Sequence, residues 1–264
     1  MTRRVEMPRV HIIGMGEVGR RINESLCRAG VDTETVTRTT GWSNALADTE
    51  SLRLVCVREE ALGEVLGHLN GTPLDRIVVV QNGWIRPLLS RTADLTRGLV
   101  WFTAKGDFFT VLRSSPFCGP QAEMLAHALT DGGLPSHAVD RGSFDRLDVE
   151  KMAFNCVVGL PLAVHGLSLR EYLESHGEEA RALFSETATV CARAIDSDVE
   201  SHWWKQFLLS AEPLGWVRVA TAKALGFRNG AVVELARQIG VDAPVNTRLL
   251  AENDRMCATK QSLD

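Results

Sequence analysis

Apolar positions fall into two regimes along the chain. In the first half, short apolar runs that predict strands alternate with segments whose apolar residues recur every three or four positions, the helical period. Val10 to Ile13 is the first such run. Glu17 to Ala29 follows with helical spacing and a stop at Gly30, and Thr33 to Thr37 alternates as a strand. Leu52 to Val57 and Ile77 to Val80 are apolar runs with a helical pattern, Glu59 to Leu69, between them. Further strands are expected at Gly98 to Phe102 and Phe108 to Leu112, then a helix from Gln121 to Leu129 and a short strand near Ser136 to Val139. This alternation predicts an α/β fold with a doubly wound, mostly parallel sheet, whose ligands bind beyond the carboxyl ends of the strands. From Phe144 onward the pattern is helical: Asp145 to Val158, Gly177 to Asp196, Trp216 to Leu225, Gly230 to Ile239 and Thr247 to Met256. The expected organisation is an α/β domain over 1–143 and an all-helical domain over 144–264, with the boundary near the turn residues Arg141-Gly142-Ser143.

The first strand runs into Gly14-Met15-Gly16-Glu17-Val18-Gly19, a G-x-G-x-x-G at the start of a helix. In such a loop the first glycine permits the tight turn, the second lets a pyrophosphate approach backbone, and the third lets helix and strand pack closely. The phosphates would lie at the helix N-terminus, where unpaired N–H groups and the dipole favour negative charge. The α/β domain is therefore expected to be of Rossmann type and to bind a dinucleotide.

Residues just after the strands decide which dinucleotide. Thr37-Arg38-Thr39-Thr40 follows the second strand with a cation, three hydroxyls and no carboxylate, while Glu34 has nearly the right count for an NAD-type acid but falls early in the strand. An arginine at the strand end accommodates a 2′-phosphate, so NADP (NADPH) is expected over NAD. The alternative for Arg38 is a solvated loop residue. Arg58 follows the third strand and Gln81-Asn82-Gly83 the fourth; Asn82 offers an amide to cofactor or substrate, or else serves the turn that Asn-Gly favours.

Composition removes several function classes. The 264 residues are 45% apolar with a formal net charge of −4, which gives no footprint for nucleic acid. Met1 to Pro8 reads as neither a signal peptide nor an anchor, and no apolar run approaches the ~18 residues of a membrane span, so a cytoplasmic protein is expected. The six cysteines lack a C-x-x-C pair and the seven histidines lack metal-ligand spacing, so no metal is expected.

In the helical half, Lys151 and Asn155 stand four apart and share a helix face. Lys151 is either a solvated helix residue or, on the first long helix after the nucleotide domain, a general acid for a carbonyl that receives hydride. The order of the glycine loop, Val36-Thr37-Arg38, Gln81-Asn82-Gly83, K-x-x-x-N at Lys151 and Asn155, Asn229 to Ala236 and Gly240 to Asn246 resembles the ketopantoate reductases over nearly the whole chain. That resemblance implies NADPH as hydride donor, reduction of ketopantoate or a related 2-oxo acid toward pantothenate, Lys151 as general acid, and Asn155 as a partner of the lysine or the substrate. Two positions depart from the pattern: Ala224 stands where the family has a glutamate, and Gly159 where it has a second asparagine. Ser210, in a reduced serine segment, is the nearest candidate for the substrate carboxylate, and Glu212 the nearest substitute acid. Alternatives are a reductase or opine-type dehydrogenase acting on another carbonyl or imine, and a non-catalytic NADP-binding sensor. Trp203, Trp204 and Trp216 add apolar bulk that suits a larger or less polar substrate; the alternative is core or dimer packing by large aromatics, and a homodimer is expected.

Overall fold

The structure, a computed structural model, describes residues 7–89 and 94–261. The first six residues, part of the stretch tested above for a signal peptide, lie outside this range. The elements in chain order are β1 (Val10–Ile13), α1 (Glu17–Arg28), β2 (Thr33–Val36), α2 (Ser43–Ala47), β3 (Leu52–Val55), α3 (Glu59–His68), β4 (Ile77–Val79), β5 (Thr96–Gly98), β6 (Phe102–Lys105), β7 (Phe108–Val111), β8 (Ser115–Cys118), α4 (Ala122–Asp131) and β9 (Ser136–Ala138). Only helices follow: α5 (Arg141–Val157), α6 (Leu160–His165), α7 (Leu169–Ser175), α8 (Gly177–Arg193), α9 (Trp203–Ala211), α10 (Asn229–Ile239) and α11 (Pro244–Gln261). Two compact units result. The first runs to Gln81 and resumes at Ile85–Phe144; the second is Asn82–Trp84 with the chain from Asp145 onward.

The first unit is a seven-stranded sheet in the order β2-β1-β3-β4-β5-β8-β9. β1 to β5 are mutually parallel, with Val10 beside Thr33 and Leu52 in register. β8 then pairs antiparallel to β5, and β9 parallel to β8. The apolar runs of β1, β3 and β4 are buried throughout, as expected of strands covered on both faces. Ile22 and Leu26 of α1 and Leu125 and Leu129 of α4 pack with Val10, Ile12, Leu54, Val78 and Phe117 into one core.

The expected strand over Gly98 to Phe102 is instead two elements. β5 ends at Gly98 and β6 begins at Phe102, because the intervening backbone bonds elsewhere. Leu99 N–H donates to Pro116 O, Trp101 N–H to Ser115 Oγ, and Trp101 O accepts from Leu112. This turns the chain into the separate hairpin β6–β7. β8 was not signalled by the sequence, since Pro116 interrupts its pattern and proline is rare inside strands.

The second unit is helical, and one predicted helix is absent: Trp216 to Leu225 is extended and bent, apart from a short turn at Leu225–Phe227. Its carbonyls serve another helix. Leu169 N–H donates to Val217 O and Arg170 N–H to Gly215 O, while Ser168 Oγ accepts from Glu171 N–H in a capping box, so the first turn of α7 leaves no donor orphaned. Arg218 pairs with Glu171 across the same junction. A buried polar chain fastens α8, α10 and α11. Glu186 accepts from the Val245 and Asn246 N–H groups at the start of α11, Asn246 Nδ2 also donates to Glu186 at 2.8 Å, and Asn229 Nδ2 donates to Asn246 Oδ1 at 2.9 Å. Among the described residues no helix is long and apolar enough to cross a membrane.

His11, in the middle of β1, is 1% exposed, and neither ring nitrogen has a hydrogen bond; the Glu34 and Asp48 carboxylates stand at 3.7 and 3.8 Å. Burial lowers its pKa, and neighbouring Arg53 and Arg9 act in the same sense, outweighing the two carboxylates. The unfolded chain therefore takes up this proton first as pH falls below about 6.5. Stability from a neutral His11 is complete above that pH and is lost as pH falls toward the folded-state pKa. Denaturant midpoints are expected to drop between about pH 7 and pH 5, and His11→Val to flatten that drop. An unchanged slope in the variant would exclude His11 as its source.

Candidate functional site

The glycine loop is held by its neighbours on both sides: Gly14 N–H donates to Val36 O at 3.1 Å and Cys56 N–H to Ile13 O at 2.8 Å. Gly14 has φ +98°, and a Cβ there would stand 2.9 Å from Val57 Cγ1. A Cβ on Gly19 would collide with the Gly14 carbonyl oxygen, so α1 can start this close to the loop only with glycine at that position. Gly16 is different: a Cβ would meet nothing within 4 Å. Gly16 is the N-cap of α1 and supplies no side-chain cap, which leaves the first N–H groups of the helix facing open space. Met15 and Val18 turn their side chains onto the core, so they offer a ligand only backbone. Glu17 is held by Arg20 at 2.8 Å and by Gly106 N–H at the tip of the β6–β7 hairpin, and these hydrogen bonds keep its pKa below the ordinary value.

Beyond β2, the loop 37–40 is knitted by its own hydroxyls. Thr37 N–H donates to Thr40 Oγ1 at 2.8 Å, and the Thr37 and Thr39 hydroxyls stand 2.9 Å apart. Arg38 projects from this loop, exposed and without an ion pair or hydrogen bond among the described residues; Arg58, the N-cap of α3 beyond β3, is likewise exposed and unpaired. Glu34 is engaged away from the strand end, accepting from Asn44 Nδ2 at 2.6 Å and lying 3.8 Å from Arg9. Gln81 donates from Nε2 to Val55 O and Val57 O, both at 3.0 Å, and its buried Oε1 has no hydrogen-bond partner.

In the second unit Lys151 and Asn155 are 4% and 7% exposed, so the solvated-lysine alternative does not hold. The Lys151 ammonium lies 4.8 Å from the centre of the Phe154 ring, a cation–π distance. Asn155 Nδ2 donates to Asn82 O at 2.9 Å, which fixes the Gln-Asn-Gly segment on α5, and the buried Asn82 Oδ1 has no hydrogen-bond partner. Burial pushes the Cys156 thiol up to about 12, so it is not a nucleophile.

Ser210 is buried, and its hydroxyl donates to Gln206 O one turn back on α9, the ordinary self-bond of a helical serine. Glu212 is exposed in a short turn after α9. Ala224 has φ +53°, a left-handed backbone that a glutamate would also find strained. Arg228, which sequence reasoning did not single out, lies beside Gly159. A methyl group placed on Gly159 would stand 3.9 Å from a terminal nitrogen of Arg228, so the guanidinium borders the space that Gly159 leaves open. Its signal in the sequence was one arginine immediately before Asn229, with no periodicity to mark it. Trp203 is buried, Trp204 stacks on Phe207 at 4.9 Å, and Trp216 is 56% exposed.

No protein-family profile and no curated protein sequence matches the chain. Solved structures do. A ketopantoate reductase of the PanE/ApbA family from Ralstonia eutropha aligns with TM-score 0.76 at 18% identity over 96% of this chain and 99% of that one. D-mandelate dehydrogenase in complex with NADH aligns with TM-score 0.74 at 15% identity, covering 97% and 100%. The dimeric ketopantoate reductase of Staphylococcus aureus aligns with TM-score 0.71 at 16% identity, covering 94% and 99%. The fold is therefore that of these reductases along essentially their whole length.

The glycine geometry makes a paired prediction. Gly19→Ala is expected to lower unfolding stability by about 1–3 kcal/mol, the usual cost of overpacking, while Gly16→Ala leaves thermal unfolding unchanged. Equal melting shifts in the two variants would contradict the close contact assigned to Gly19.

Proposed function

We propose that this chain is an NADPH-dependent reductase of the ketopantoate reductase type, converting a 2-oxo acid to its 2-hydroxy acid. The observation that carries the proposal is the buried pair Lys151 and Asn155, one turn apart on α5, with Asn155 fixed by the Asn82 carbonyl. A lysine and an amide kept from water, on a fold shared with two kinds of 2-oxo/2-hydroxy acid oxidoreductase, suit carbonyl reduction.

The glycine loop fits a pyrophosphate: Gly16 leaves room for it, and the uncapped start of α1 presents donors. Arg38, with Arg58 nearby in the series of strand ends, suits a 2′-phosphate, and Glu34 is already bound by Asn44 and Arg9. The nicotinamide supplies the hydride, delivered to the carbonyl carbon. Lys151 then donates its proton to the carbonyl oxygen as that oxygen receives the electron pair of the C=O bond, and the neutral amine recovers a proton from solvent. Asn155 and the free Asn82 Oδ1 orient the lysine or the substrate.

For the substrate carboxylate we assign Arg228 in place of Ser210, because a terminal nitrogen of its guanidinium stands beside Gly159 and the group has a planar fork that matches a carboxylate. With Gly159 and Ala224 in place of polar groups, a 2-oxo acid bulkier than ketopantoate fits the second unit better than ketopantoate itself. If ketopantoate is the substrate, the product enters pantothenate synthesis. The dimeric state of the Staphylococcus aureus neighbour, together with exposed Leu208, Leu209 and Trp216 on one stretch of chain, supports a homodimer.

The test is NADPH oxidation, followed at the nicotinamide absorbance band, with a panel of 2-oxo acids. Turnover of at least one acid is expected, with Lys151→Ala lowering kcat at least ~100-fold at unchanged NADPH affinity. Binding of NADPH with no turnover on any member would overturn the enzyme reading in favour of a sensor. Arg38→Ala is expected to weaken NADPH ~10-fold and leave NADH unchanged, and Arg228→Ala to raise KM for the acid more than it lowers kcat. Equal losses for NADPH and NADH would remove the 2′-phosphate role from Arg38.

A further inference from the structure

His165, the last residue of α6, and His176 with Glu179, at the N-cap and third position of α8, form a cluster apart from every residue used above. All three are partly buried, and their ligand-type atoms lie within 4.8 Å of one another. His165 Nε2 is 2.9 Å from Glu179 Oε1, and the two imidazoles stack with ring centres 4.3 Å apart.

Part of this cluster explains itself as a hydrogen-bonded network. Glu179 Oε1 accepts from Tyr172 Oη at 3.0 Å, and the other carboxylate oxygen pairs with Arg248. His176 is outside that network. Among the described residues its ring nitrogens make no hydrogen bond; the ring only stacks, on His165 and, at 5.8 Å, on Tyr172. Its backbone is pinned from both sides, the N–H donating to Tyr172 O at 2.7 Å and the carbonyl accepting from Ala180 at 2.9 Å. A polar ring is thus held in place beside an imidazole and a carboxylate without using its own nitrogens.

We propose that His165, His176 and Glu179 bind a divalent transition cation of the zinc type. Two imidazoles and a carboxylate suit zinc or cobalt far better than magnesium or calcium, which prefer oxygen alone. With bonds of about 2.0–2.1 Å, tetrahedral ligands stand roughly 3.3 Å apart. The His165–Glu179 pair must open by a few tenths of an ångström, and the His176 ring must turn out of its near-parallel stack on His165 so that a ring nitrogen closes by at most about 1.5 Å. His176 and Glu179 are three apart on one helix turn, so both side chains face the same side. Arg248 already answers to Glu252 at 3.0 Å as well as to Glu179, and two carboxylates against one guanidinium leave the locality net negative. Tyr172 and Arg248 then act as the outer shell that orients the carboxylate. The cation ties the end of α6 to the start of α8.

The test is titration of the full chain, purified in chelator, with cobalt(II) chloride and then zinc chloride, read by visible absorption and calorimetry. One cobalt per chain is expected, with the intense visible bands of a four- or five-coordinate site, displaced by zinc. His176→Phe keeps the ring stack and the hydrogen-bonded network but removes a ligand, and should weaken cobalt at least ~10-fold with unchanged melting in chelator. His165→Gln should do the same if His176→Phe folds poorly. No binding at ~0.1 mM cobalt, or binding that both variants retain, overturns the proposal. Loss of NADPH turnover plays no part in the readout, so failure here is separate from failure of the reductase reading.

Discussion

The distance between the first turn of α1 and the loop that precedes it governs the first unit. Gly19 packs against the Gly14 carbonyl so tightly that no side chain can intervene, and Gly14 itself takes a left-handed backbone against Val57. This contact aims the start of α1 at the space beyond β1. Beside it runs the in-register parallel set β2-β1-β3-β4, whose carboxyl ends carry Arg38, Arg58 and Gln81. A larger residue at Gly19 would push the helix back and remove the donors from that space. Gly16 packs against nothing, so its lack of a side chain serves no fold requirement. An empty position at a helix start is what a ligand that needs backbone contact would use.

The second unit depends on buried polar bonds where the first depends on close contact. Glu186 caps α11, Asn246 links that cap to Asn229, and Asn229 begins α10. Each group is buried or partly buried and each of these hydrogen bonds runs to another element, so removing one would leave others without partners, although Asn229 Oδ1 itself accepts no hydrogen bond. The Asn229 to Ala236 and Gly240 to Asn246 stretches that mark the chain's likeness to the reductases are largely this scaffold. Their consequence for the site is indirect: they set where α10 begins, and with it where Arg228 stands beside Gly159.

Most of the first unit was legible because its signals are local. Buried parallel strands read as apolar runs, α1 and α3 as amphipathic periods, and the glycine loop as a spaced motif. What was lost depended on partners far away in sequence. β8 contains a proline and is a strand only because β5 and β9 flank it. The stretch 216–224 has helical spacing, yet the Val217 carbonyl, like that of Gly215 just before the stretch, serves the N-terminus of α7, a demand invisible from within the segment. The site followed the same rule. Lys151 and Asn155 were found by spacing on one helix. Arg228, the satisfied hydroxyl of Ser210 and the engaged Glu34 each required knowing what lay opposite, as did the His165–His176–Glu179 cluster, whose members are 11 and 3 positions apart and fit no metal-ligand spacing.

The exchanges at 159 and 224 bear on substrate size. Lys151 and Asn155 share one face of α5, which ends at Val157, and Gly159 lies just past that end. A terminal nitrogen of Arg228 borders Gly159. A small 2-oxo acid places its carboxylate next to its carbonyl, so both cations can engage it only if their long side chains converge. Every 2-oxo acid keeps that adjacency, so the bulk of a larger one lies on the other side of its carbonyl. A side chain at 159 would begin 3.0 Å from Asn155 O and 3.9 Å from Arg228, a place that glycine leaves vacant. Lys151 is itself buried on α5, as are Asp148 and Glu150. On the proposed reading, selectivity turns on how much bulk the space beside Gly159 admits.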